Sequence, residues 1–134
     1  ASEEELETTE AKGEPTEEQK ARQRINSGMD VVNEYFVKKL SEYGVEMLVG
    51  QDNIEAVGTL EEMILMNEAG VTELEVLRGA TIYAMEWLEV DDRYGTVEPG
   101  KIADLVVLNS NPLDDIIHVG DVFMVIQHGE IVKK

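Results

Sequence analysis

Along this chain the apolar positions change period, from helical spacing in the first two thirds to short runs and alternation in the last third. Ile25, Met29, Val32, Phe36, Leu40 and Tyr43 recur at intervals of four, three, four, four and three, one apolar stripe on a long helix. Thr16 with Gln19 makes a capping box at its start, Glu17 and Glu18 favour the positive end of its dipole, and Gly44 ends it as a C′ glycine. The stripe is read as core packing. Val45–Val49 (VEMLV) then predicts a short strand, with Gly50-Gln51-Asp52-Asn53 at its C-terminal end. Two further capping boxes follow. Thr59 and Glu62 open a helix that Gly70 ends, and Thr72 and Glu75 open a helix carrying Leu74, Leu77, Thr81, Met85 and Leu88. Within it, Gly79-Ala80 permits close approach to a neighbour.

The last third reads as strand Ala103–Leu108, strand Val122–Gln127, a turn at His128-Gly129, and strand Glu130–Lys133. Pro99-Gly100 is turn chemistry, and Asn111-Pro112 stops the first strand because proline cannot donate to a ladder. The apolar run Leu105–Leu108, with its β-branched pair Val106-Val107, predicts a strand covered on both faces. Asp91-Asp92 and Asp114-Asp115 are paired carboxylates without the spacing of a calcium loop, and are read as solvated turns. Trp87 and the methionines are assigned to the core.

Composition narrows the picture. The first 15 residues, rich in Glu and Thr, are expected to be an acidic flexible arm or loop. A net charge of −18 argues against nucleic-acid partners and anionic membrane surfaces, which reward Lys and Arg. With no cysteine there is neither a disulfide framework nor a thiolate metal site, which fits a cytoplasmic protein. No apolar run approaches the roughly 20 residues of a membrane span, and no signal-peptide pattern stands out. A phosphate-binding glycine loop and a Gly-x-Ser-x-Gly elbow are both missing.

The stretch Gly95–Ile116, GTVEPGKIADLVVLNSNPLDDI, resembles the Gly-Ser/Thr-hydrophobic-Glu-Pro-Gly-Lys-x-Ala-Asp-Leu-Val-Val-Leu segment near the C-terminus of the amidohydrolase superfamily. Ala69–Thr81 is similar to that family's Gly-hydrophobic-Thr-x-x-Glu-x-Leu-x-x-Ala-Thr helix, with Gly79 where alanine is usual. The order of pieces from about Thr16 to the end agrees with the resemblance. Its members are metal-dependent hydrolases on a (β/α)₈ barrel, which needs roughly 250 residues, so 134 residues would be a part and not the whole. The fold class implied is α/β. Residues 16–90 would be the terminal piece of the barrel (last helix, last strand at 45–49, following helices), and 91–134 the C-terminal strands of a small β-sandwich.

The resemblance also implies a function. Asp52 would close the active site at the C-terminal mouth of the barrel, binding one divalent metal, zinc foremost, and taking the proton of the metal-bound water. Gln51 departs from the small Thr or Ser common beside it. The family's metal-binding histidines are missing: His118 and His128 are read as exposed loop residues, and a lone aspartate cannot hold a catalytic zinc. Glu98, Lys101 and Asp104 are assigned to turn and sandwich structure. The implied parent hydrolyses amide, lactam or ester bonds, in the imidazolonepropionase- and prolidase-like branch, on small molecules or dipeptides. The isolated chain is expected to be inactive and metal-free, and to self-associate or pair with a complementary N-terminal chain. The alternatives are one subunit of a two-chain hydrolase and a non-enzymatic interaction module.

Overall fold

A computed structural model describes residues 31–50 and 58–134, of which Asn33–Lys134 belong to one compact unit. Helix α1 runs to residue 42. It is followed by α2 (Gly58–Glu68), α3 (Glu73–Gly79), α4 (Ile82–Trp87), β1 (Leu105–Leu108), a 3₁₀ turn (Ile116–Gly120), β2 (Val122–Gln127) and β3 (Glu130–Lys133). The Thr16–Gln19 box, Ile25 and Met29 lie outside the described residues.

The helix ends form as their residues dictate. Gly44 (φ 70°) and Gly70 (φ 102°) take the left-handed conformation that lets the following amide reach back five residues. Val45 N–H donates to Leu40 O, and Val71 N–H to Met66 O, both at 3.0 Å. Thr72 caps α3, its hydroxyl accepting from Glu75 N–H at 3.3 Å. The reciprocal half of that capping box does not form, because the Glu75 carboxylate is taken by Arg78 and Tyr83. At α2 the helix already includes Gly58, so Thr59 lies in the first turn instead of capping it.

The single helix expected from Leu74 to Leu88 is broken in two. Thr81, at φ −133° and ψ −96°, leaves helical geometry, and its hydroxyl donates to Leu77 O at 2.7 Å. Gly79, a poor helix former, precedes the break by two residues. Trp87, assigned to the core from sequence, is 75% exposed on the short α4.

The core is small and belongs to the helices. Met63 and Met66 of α2, Val71, Val76 of α3 and Ile116 of the 3₁₀ turn form one buried cluster, with Val37, Met47, Val49, Ile64, Leu77 and Val119 packed against it. Of the α1 stripe, Phe36, Leu40 and Tyr43 are exposed, which corrects the core assignment: α1 turns Val37 inward instead. A residue is buried only where an element is packed against it, and nothing described covers the stripe.

The sheet is three-stranded and antiparallel, in the order β1-β2-β3. Leu105 pairs with Ile126 and Val107 with Met124, while Gln127 pairs with Glu130 across the His128-Gly129 turn. Each ladder carries one irregularity, between Val107 and Leu108 and between Val125 and Ile126. The expectation that β1 is covered on both faces is not met, since Val106 and Val107 are exposed. Residues 45–50 carry no regular secondary structure and form no ladder among the described residues, so the expected strand lacks the partner that would define it.

Candidate functional site

Asp52 lies within 51–57, outside the described residues, but the chain leading to it is described. This stem, residues 45–50, is tied down at two backbone points. Val45 N–H donates to Leu40 O at the end of α1, and Val49 N–H donates to Gly79 O at the end of α3 at 3.2 Å. Met47 and Val49 pack against the helical core between them.

Beside the stem sits a small polar network on α3. Glu75 accepts from Tyr83 Oη at 2.8 Å and from Arg78 Nη1 at 2.7 Å. The Tyr83 hydroxyl and then the Arg78 guanidinium hold the Glu75 carboxyl below the usual carboxylate range, and the same contact pushes the Tyr83 hydroxyl up. Glu75 also lines a cavity of about 110 Å³ with Ser41, Gly44, Val45, Met47 and Val71. That is well under the ~300 Å³ at which small-molecule pockets begin, so it has room for water and not for a substrate. The Glu75–Arg78 pair follows from an i, i+3 spacing that the sequence reading passed over, whereas Tyr83, eight residues on, enters only because the helix breaks at Thr81.

The Glu-Pro-Gly-Lys-x-Ala-Asp segment does structural work. Lys101 N–H donates to Glu98 O at 3.2 Å, closing the Pro99-Gly100 turn. The Lys101 side chain, mostly buried, donates to Thr96 Oγ1 at 2.6 Å and to Tyr94 O at 3.5 Å, stapling the loop onto itself. Asp104 Oδ1 accepts from His128 N–H at 2.7 Å and so holds the β2–β3 turn, where His128 has φ 51°. Both side chains are spent on local structure, as their assignment to turns expected.

A family model described as the amidohydrolase family matches residues 15–132. The chain belongs to that family. Among solved structures, this amidohydrolase-family chain is similar to a Xaa-Pro dipeptidase with bound methionine in its active site, at 28% identity and a TM-score of 0.70, over 75% of this chain and 25% of that one. A prolidase complexed with N-methylphosphonate-L-proline matches at 33% identity and a TM-score of 0.66, over 75% and 26%. Among curated proteins, adenine deaminase 4 of Rhizobium meliloti (strain 1021) is 30% identical over 88 residues, 63% of this chain and 14% of that protein. The chain therefore spans about a seventh of that deaminase and a quarter of the two structures.

Neither histidine gathers ligands. His118 is half-buried, not exposed as expected, and its Nδ1 lies 2.8 Å from the Asn111 carbonyl oxygen. His128 is exposed in its turn, with Nδ1 3.8 Å from Asp104 Oδ1. Among the described residues no three His, Cys, Asp or Glu side chains come together as a metal site. Asp115 caps the 3₁₀ turn by accepting from Ile117 N–H at 3.1 Å, and Asp91-Asp92 lie in a turn.

Proposed function

We propose that this chain is the C-terminal portion of a metal-dependent amidohydrolase that hydrolyses C–N bonds in small amide, lactam or dipeptide substrates, with ester bonds within its reach. The observation that carries this reading is the family match over 15–132, with structural similarity to a dipeptidase and a prolidase. Residues 16–90 are assigned to the end of the (β/α)₈ barrel, with 45–49 as its last strand, and 91–134 to the sandwich. The acidic first 15 residues lie outside the described residues. A cytoplasmic setting is part of the same reading. No described helix is long and apolar enough to cross a membrane.

Asp52 is the residue assigned to the chemistry, as a metal ligand and proton acceptor following Gly50 at the end of the stem. A divalent metal, zinc foremost, is assigned to the complete enzyme. The described residues do not fit it, because they bring no ligand set together. Their contribution is to hold the stem.

A second reading is favoured by exposed apolar side chains on both halves of the described unit. Phe36 is 58% exposed, Leu48 43%, Val106 58% and Ile131 58%. Such surface marks association, with a complementary N-terminal chain in a two-chain hydrolase or with another copy in a non-enzymatic module. One experiment separates them. The chain is assayed for Xaa-Pro dipeptide hydrolysis alone and mixed with a polypeptide supplying the preceding three quarters of the fold. The enzyme reading expects no turnover alone and chelator-sensitive turnover in the mixture. Asp52→Asn then lowers kcat by at least about 10²-fold, the scale of losing a positioned proton acceptor. Binding without turnover, indifferent to chelator and to Asp52→Asn, would establish the module instead.

A further inference from the structure

Gly79 is the last residue of α3, and nothing about helix formation calls for glycine there. Glycine is the poorest helix former after proline, and Gly79 does not adopt the positive φ that would require it. What does require it is a neighbour. A Cβ added at Gly79 would overlap the Met47 carbonyl oxygen, and would stand 3.5 Å from Met47 C and 3.6 Å from Val49 Cγ2. The obstacle is backbone of the stem, so no side-chain rotation relieves it. From the same residue, the Gly79 carbonyl accepts Val49 N–H at 3.2 Å. Helix α3 is itself a fixed platform, held by fully buried Val76 at its centre and by the Thr72 cap at its start.

We infer that Gly79 is a positioning residue: the missing side chain sets how deeply the 45–49 stem lies on α3, and so where the chain leaves Gly50 toward Asp52. The functional meaning of that contact rests on the proposed role of Asp52, but the contact itself is tested separately. Gly79→Ala in the full chain gives a signed answer. Were Gly79 only a helix residue, alanine would raise the thermal midpoint and leave the stem untouched. With the stem packed on it, alanine lowers the midpoint. The Val49 amide then exchanges at least about tenfold faster, while the Val71 and Val76 amides stay within about twofold. A raised midpoint with unchanged Val49 exchange would overturn the inference.

Hydrolysis by the complemented mixture supplies a readout that a purely structural role would not move. Gly79→Ala is expected to cut kcat about tenfold with KM within about twofold, as small misplacements of a reacting group do. Val49→Pro deletes the same hydrogen bond from the stem side and leaves the sequence of α3 unchanged, so it serves if Gly79→Ala fails to fold. It should reproduce the kcat loss, and an unchanged kcat would count against Gly79. If Asp52→Asn retains full activity, the assignment of Asp52 fails, while Val49 exchange still decides the contact.

Discussion

The helices α2 and α3 and the three-stranded sheet treat the same kinds of side chain in opposite ways. The helices contribute Met63, Met66 and Val76 to a closed core, with Val76 fully buried. Not one residue of the sheet is buried, and β3 is exposed along its whole length. Valine and isoleucine fill the strands, so hydrophobicity is not what differs. What differs is the number of layers. Two helices, the turn between them and Ile116 enclose a volume, whereas the sheet is covered only in part, with Leu105, Leu108, Val122, Met124, Val125 and Ile126 half-buried and none buried. The helical part, closed by Ile116, thus has a core, and the described sheet has none of its own.

The 3₁₀ turn between β1 and β2 joins the two regions, and it gives the sharpest way to break the comparison. Ile116, in the 3₁₀ turn between β1 and β2, is 2% exposed and sits in the helical cluster. Ile116→Ala should cost about 2–5 kcal/mol, the range for emptying a filled core position. Ile131→Ala, on β3 at 58% exposure, should stay within about 0.5 kcal/mol, as surface changes do. Urea unfolding of both variants reads this difference directly. Equal losses would mean the sheet has a core of its own, and the contrast would be gone.

The next effect is smaller and confined to the platform. Thr72→Ala removes the hydroxyl that accepts Glu75 N–H, and should cost about 1 kcal/mol. Since the rest of α3 stays in place, the loss should appear in the global midpoint, with the sheet amides unchanged relative to it. A variant as stable as the parent would mean that water caps α3 equally well.

Legibility in the sequence divides along the same line. The ends of α1 and α2, the Thr72 cap and the β2–β3 hairpin were readable because each is fixed by residues adjacent in the chain: Gly44, Gly70, Thr72, His128-Gly129. The exposure of Phe36, Leu40, Trp87 and Val106 was not readable, because apolar spacing says that a face wants cover and not whether cover is at hand. The break at Thr81 was hidden for a related reason. Leu74, Leu77, Thr81, Met85 and Leu88 keep helical spacing, yet a hydroxyl bonded to Leu77 O and a glycine two residues earlier end the helix locally. For the candidate site, motif order pointed to Asp52, which falls outside the described residues. The role of Gly79 as a close-approach residue was foreshadowed by its lack of a side chain, though the identity of its neighbour, the Met47–Val49 backbone, belongs to the fold alone.

The finest test concerns how the sheet is fastened without a core. Asp121, between the 3₁₀ turn and β2, closes the end of β1 through Asn109 and Ser110. Its carbonyl oxygen accepts Asn109 N–H at 2.9 Å. Its carboxylate oxygens accept Asn109 Nδ2 at 2.8 Å and Ser110 Oγ at 2.7 Å. Asn109 first, and Ser110 after it, hold the carboxyl below the usual aspartate range, with His118 adding a weaker attraction. A carboxyl with a depressed folded-state pKa stabilises fully above its unfolded value of about 3.9, and that stabilisation is lost as pH falls through the folded value. Asp121→Asn should therefore lower the midpoint of the sheet's unfolding by a small, constant amount above about pH 5. From about pH 4 downward the two proteins should draw together, meeting only below the folded-state value, because acid removes from the parent what the substitution removed already. Circular dichroism melts from pH 7 to pH 2 at fixed ionic strength would follow the gap. A gap that persists unchanged at the acid end would mean the difference does not come from the carboxylate's charge, and no gap at any pH would mean that the strand end is held by the Asn109–Asp121 backbone bond alone.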